Sequence, residues 1–125
     1  MTTDVTEPTD RESFAPLVFL AYAPGSGRYG LILSDDHMGA TAEAFDARGH
    51  QGGGYDWEAV ARAAIQAREP RLAERVAYDC EAGMFAAYGT DAEALRSLGA
   101  LLSEAHRDPA VLAAYLDAAD PDWFD

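Results

Sequence analysis

The chain has no lysine, one cysteine and no apolar run of the roughly 18 residues that a bilayer span requires. Cys80 stands alone, so an internal disulfide and a cysteine-built zinc cage are both excluded. A lone cysteine acts as a nucleophile only with a base nearby and a lowered pKa. Set in a turn between Asp79 and Glu81, its thiolate is disfavoured by both carboxylates, and no catalytic role is assigned to it. The first residues, MTTDVTEPTDRES, are acidic and polar where a secretory signal has a basic start and an apolar stretch. The protein is therefore expected to be cytoplasmic.

Positive charge is scarce too. Nine basic residues, all arginine, face 22 Asp and Glu, for a formal net charge of −13. Nucleic-acid binding relies on a basic footprint that displaces counterions, and this balance is the reverse. An anionic membrane surface is repelled as well. A basic protein is the natural complement, since opposite potentials speed encounter and set orientation. A GC-rich genome gives a similar lysine-poor composition, and net negative charge also aids solubility.

What is present suits a folded domain. A chain of 125 residues, 49% hydrophobic and 10% aromatic, has enough apolar content to bury a core. Residues 1–13 read as a flexible acidic arm and residues 14–125 as a single domain. Phe14 to Tyr22 is β-rich and apolar on both faces, which predicts a well-covered strand. A Pro-Gly turn follows, then RYGLILS, with Tyr29, Leu31 and Leu33 on one face, completing a hairpin. Thr41 to Phe45 is a weaker third strand candidate.

Asp56 is the expected N-cap of a first helix whose stripe is Trp57, Val60, Ala61, Ala64 and Ile65, and Pro70 ends it. A second hairpin follows, with Arg75 to Tyr78, a turn over Asp79 to Gly83, and Met84 to Tyr88. Thr90 and Glu93 are the expected capping box of a second helix, with Leu95, Leu98, Leu102 and Ala105 inward. Asp108 and Pro109 open a third, burying Val111, Leu112, Tyr115, Leu116 and Ala119. The expected class is α+β: an antiparallel or mixed sheet built from two hairpins, with three helices packed mainly on one face.

Few residues suggest chemistry. His37, His50 and His106 fall in no metal-binding spacing, and Ser34 to His37 reads as a polar turn after a strand. Neither a metal nor a cofactor is expected. Asp79 and Glu81 form an i, i+2 carboxylate pair of the kind acid–base catalysis uses. The simpler reading makes Asp79 the cap of its own turn and Glu81 a solvated residue. The glycines of GHQGGGYDWE lack both the Lys-Ser/Thr ending of a phosphate loop and the dinucleotide fingerprint. No nucleophile elbow and no histidine zinc helix are found.

Two segments together resemble a known family. GGGYDWEAVARAAI (52–65) followed by VAYDCEAGMFAAYGTDAEALRSL (76–98) is similar to the immunity protein 51 family of bacterial polymorphic toxin systems. The matching residues are Gly54, Tyr55, Asp56, Trp57 and Glu58, then Asp79, Glu81, Gly83, Met84 and Phe85. Cys80 departs from the pattern, which has proline in the turn, and leaves that turn less rigid. The resemblance implies a protein that binds a cognate toxin domain and blocks it stoichiometrically, with no catalytic residues. Many toxins of such systems are basic nucleases, which an acidic inhibitor would suit.

Within the motif, Gly54, Asp56, Trp57, Glu58, Gly83, Met84 and Phe85 are expected to be mainly structural. The candidate partner-binding residues are Asp35, Asp36, Tyr55, Asp79 and Glu81, with the turns at 35–37 and 79–81 presenting a negative face. Trp123 and Phe124 are either aromatic anchors for a partner or a seal folded back on the sheet. The rival readings are a small acidic adaptor or regulatory domain and, with less support, a hydrolase using Asp79 and Glu81 with His37 or His50.

Overall fold

Alternation of apolar residues builds two antiparallel hairpins in the computed structural model, which describes residues 9–22 and 26–124. Residues 1–8 of the expected arm and residues 23–25 of the expected turn lie outside the described residues. Strand β2 (Val18–Tyr22) pairs with β3 (Arg28–Ser34), and β4 (Ala77–Tyr78) pairs with β5 (Met84–Gly89). The hairpins join where β3 meets β5, antiparallel, from Tyr29 opposite Gly89 to Ser34 opposite Met84. A two-residue strand, β1 (Thr9–Asp10), adds to β2 and completes the order β1-β2-β3-β5-β4. The end of the expected arm is thus paired into the sheet.

Register divides the sheet into two unlike faces. Phe19, Leu31 and Ala87 lie opposite one another across three strands, and Leu33 lies opposite Phe85. All five are buried in the core beneath the helices, and Tyr29 packs against them. The alternate residues form the other face, in the rows Val18–Ile32–Ala86 and Leu20–Gly30–Tyr88. Strand β2 is apolar on both sides, as expected, but only one of its sides is covered by helices.

Helix α3 (Ala92–Arg107) lies over β3, β5 and β2, burying Leu95, Leu98, Leu102 and Ala105 at helical spacing. Its N-cap is Asp91, whose carboxylate accepts the Ala94 amide at 3.2 Å, in place of the expected Thr90–Glu93 box. Asp91 also takes a 2.6 Å bond from Arg75, which fixes it in the capping position. Helix α4 (Pro109–Ala118) opens as expected on Asp108, which accepts the Ala110 amide at 3.0 Å. It packs on α2 and α3.

The Thr41 to Phe45 segment is helical rather than extended. Gly39–Thr41 forms a 3-10 turn and Ala42–Asp46 a short helix, α1, so the described residues hold four α-helices where three were expected. Ala42, Glu43 and Ala44 favour helix, and Thr41 and Phe45 are both buried at i, i+4 spacing. Strand β3, just before it, is already paired on both edges.

Helix α2 (Gly54–Arg68) packs against β5, α3 and α4, which explains burial well beyond the predicted stripe: Ala59 and Ala63 are enclosed as fully as Val60 and Ala64. It starts two residues before Asp56, with Gly53 at the N-cap. Asp56 instead sits buried in the first turn, where its Oδ2 accepts the Gly52 amide at 2.7 Å. A carboxylate there also meets the positive end of the helix dipole. Gly52 holds φ at +83°, a conformation glycine adopts without strain. No helix among the described residues is long and apolar enough to cross a membrane.

Candidate functional site

The turn between β4 and β5 closes when Glu81 and Met84 exchange amide–carbonyl bonds of 2.8 and 3.1 Å. Cys80 turns inward and packs at the edge of the core. Its Sγ takes the Ala86 amide at 3.4 Å and stops the strand ladder at Tyr78. Asp79 and Glu81 stay exposed on either side of it.

Two other segments meet this turn. The Gly54 amide at the start of α2 donates to the Ala82 carbonyl at 2.8 Å. A β-carbon on Gly54 would collide with the carbonyls of Glu81 and Met84, so only glycine allows the helix to start this close. Tyr55, 40% exposed, follows directly and lines a small recess with Gln51, Asp56 and Ala82. On the other side, the 3-10 turn Asp35–His37 leaves β3 and places Asp35 Oδ2 3.4 Å from where a Gly83 β-carbon would stand. Asp36 is the next residue in that turn, and it is exposed.

The three segments that carry the candidate partner-binding residues Asp35, Asp36, Tyr55, Asp79 and Glu81 therefore meet at one corner of the molecule. Four ion pairs form among the described residues: Arg48–Asp117, Arg62–Glu58, Arg71–Glu69 and Arg75–Asp91. None of them includes Asp35, Asp36, Asp79 or Glu81. No arginine among the described residues forms an ion pair with any of these four carboxylates.

The motif residues behind the corner support it. Trp57 is fully buried between the Phe45 and His106 rings, with centroids at 5.7 and 6.0 Å. Phe85 is fully buried, and Met84 ends the ladder opposite Ser34. Glu58 binds Arg62 at 2.6 Å, and the guanidinium lies 4.8 Å from the Tyr78 ring centroid. The i, i+4 spacing of Glu58 and Arg62 signals that pair in the sequence. Gln51 and Ala82 had no such signal and join the site only through folding.

The thiol of Cys80 is pushed up to about 12, chiefly by burial, with Glu58 and then Asp79 adding to the rise. The expected disfavouring of the thiolate is present, but its main cause is desolvation, and Glu58 takes the part expected of Glu81. Two of the histidines are engaged away from the turn: His106 Nε2 lies 2.9 Å from the His37 backbone carbonyl, and His50 stacks on Phe124 at 3.7 Å, while His37 itself is exposed beside Asp35 and Asp36. No group of three or more His, Cys, Asp or Glu among the described residues is arranged to hold a metal ion. Trp123 is half-buried against the core and lines a recess with Ile65 of α2 and Tyr78 of β4, so the tail folds back where the helical layer meets the sheet edge.

A family model described as Immunity protein 51 matches residues 17–121. No curated protein and no solved structure matches the chain. Because the match runs from the residue before β2 past the end of α4 and takes in the whole acidic corner, the chain belongs to the Immunity protein 51 family.

Proposed function

We propose that this protein binds a cognate toxin domain and neutralises it stoichiometrically, acting by occlusion and not by catalysis. The observation that carries the reading is the meeting of the three segments that carry Asp35, Asp36, Tyr55, Asp79 and Glu81 at a corner where no arginine among the described residues forms an ion pair with these carboxylates. Unpaired surface carboxylates around an exposed tyrosine suit a basic protein surface, where they steer encounter and fix orientation. A net charge of −13 works against nucleic acid and anionic membranes as partners. Catalysis by Asp79 and Glu81 has little support, since both carboxylates are exposed and lack the apolar enclosure by which enzymes hold a general acid protonated. The proposed setting is the cytoplasm.

Co-expression tests the reading. The toxin domain encoded beside this gene is expressed with and without this chain, survivors are counted, and the complex is purified. Survival together with a one-to-one complex supports immunity. Death despite folded, soluble protein overturns it and points to an adaptor with another partner.

A further inference from the structure

The sheet face turned away from the helices has no partner within the described residues. Every strand residue in the core cluster belongs to the opposite register: Phe19, Leu31, Leu33, Phe85 and Ala87. Of the residues between them, Val18, Leu20, Ile32, Met84 and Tyr88 are apolar or aromatic, half-buried and outside that cluster, while the small Gly30 and Ala86 are buried. A sheet with a purely solvated face alternates apolar with polar residues. Here β2 and β5 keep apolar side chains on the uncovered side.

The two ends of this face differ. At one end Arg28 lies 5.9 Å from the centroids of both the Tyr22 and Tyr88 rings, held over two aromatic surfaces. At the other end the strands run into the acidic corner: Ser34 precedes Asp35, and Met84 stands opposite Glu81. An apolar centre with Tyr and Arg anchors and a charged margin is the make-up of a protein-binding hot spot.

We propose that this open face, continuous with the acidic corner, is the surface on which the toxin domain docks. The inference rests on the immunity reading above and adds to it the face and the partner's chemistry: an apolar patch bordered by Arg or Lys on the side that meets Asp35 and Glu81. A second copy of this chain is a poor occupant, because each copy brings a charge of −13.

The test uses the full chain and a catalytically inactive form of the adjacent toxin domain. Ile32→Arg puts a cation in the centre of the face, and Ala114→Arg puts the same charge on the exposed side of α4. Ile32→Thr keeps a β-branched side chain at the same position if the arginine variant does not fold. The expected result is a loss of toxin affinity of about 30-fold or more for Ile32→Arg, with the circular dichroism and melting of the wild type retained. About fivefold is expected for Ile32→Thr and no change for Ala114→Arg. If the wild type protects cells and both Ile32 variants bind as tightly as it does, this inference falls and the immunity reading stands. If the wild type itself forms no complex and gives no protection, both fall together. A wild-type dimer that Ile32→Arg turns into a monomer with protection intact assigns the face to a second copy and also overturns the inference.

Discussion

The amide of Gly54 donates to the Ala82 carbonyl at 2.8 Å, so the first residue of α2 is tied to the turn between β4 and β5. This one bond joins the helical layer to the sheet at the acidic corner, and it fixes how Tyr55 stands relative to Glu81. It depends on the absence of a side chain, since a β-carbon at position 54 would collide with the Glu81 and Met84 carbonyls.

Glycine to alanine in a helix ordinarily stabilises by roughly 1 kcal/mol. Gly54→Ala is expected to do the opposite, because backbone carbonyls cannot move aside as a flexible side chain would. A loss of about 2 kcal/mol or more in urea unfolding is the expected outcome. Gly39→Ala, where nothing lies within 4 Å of the added carbon, is the control and should stay within about 0.5 kcal/mol of the wild type. Equal stability of the two variants would show that the helix start is not held against the turn.

Trp57 is fully enclosed, and its Nε1 has no hydrogen-bond partner among the described residues. Trp57→Ala should cost about 3–5 kcal/mol, since the cavity between Phe45 and His106 cannot fully collapse. Trp57→Phe loses volume as well, but it also removes a buried unpaired donor, so its cost should be well under half of that for alanine. Denaturant titration of the two variants checks the ranking. A Trp57→Phe loss as large as that of Trp57→Ala would mean that the indole N–H is paired after all.

The helical layer was largely legible in the sequence because its signals are local. The apolar spacing of Leu95, Leu98 and Leu102 and the pairing of Asp108 with Pro109 lie within a few residues of what they determine. The β3–β5 pairing had no local signal, since Leu33 and Phe85 lie far apart in the chain. Asp56 was misplaced for a related reason. An Asp before a helical stripe reads as an N-cap, but here the close approach of Gly53 and Gly54 to the turn lets the helix begin earlier. The acidic corner was legible in its residues but not in its geometry. Asp35 reaches Gly83, and Tyr55 reaches Ala82, only once the two hairpins have paired.

Burial raises the Cys80 thiol from an ordinary value near 9 to about 12. A folded-state pKa above the unfolded value favours the neutral thiol in the native protein. The stability it contributes is complete below pH 9 and is lost as pH rises towards 12. Melting temperature should therefore fall across that window, and Cys80→Ala should make the fall shallower. Some of the fall will remain, because burial also raises the Tyr78 phenol. At pH 8 the thiol should react with iodoacetamide at least about tenfold more slowly in the native protein than in urea. Equal rates would contradict the burial that sets this pKa.

Unpaired carboxylates at the edge of an interface act mainly on encounter, while a desolvated aromatic acts on dissociation. The triple variant Asp35→Asn, Asp79→Asn, Glu81→Gln should therefore slow association with the toxin domain, with little change in the dissociation rate. Tyr55→Ala should do the reverse and shorten the lifetime of the complex. Wild-type association should fall by about tenfold or more between low salt and about 0.5 M, where the screening length is only a few ångströms. The triple variant should lose most of that salt dependence, since it removes three of the corner's four carboxylates and leaves only Asp36. Stopped-flow mixing at several ionic strengths separates the two rates. An unchanged salt slope in the triple variant would place the steering charge elsewhere, with the carboxylates after Arg107 (Asp108, Asp117, Asp120, Asp122 and Asp125) next to be tested.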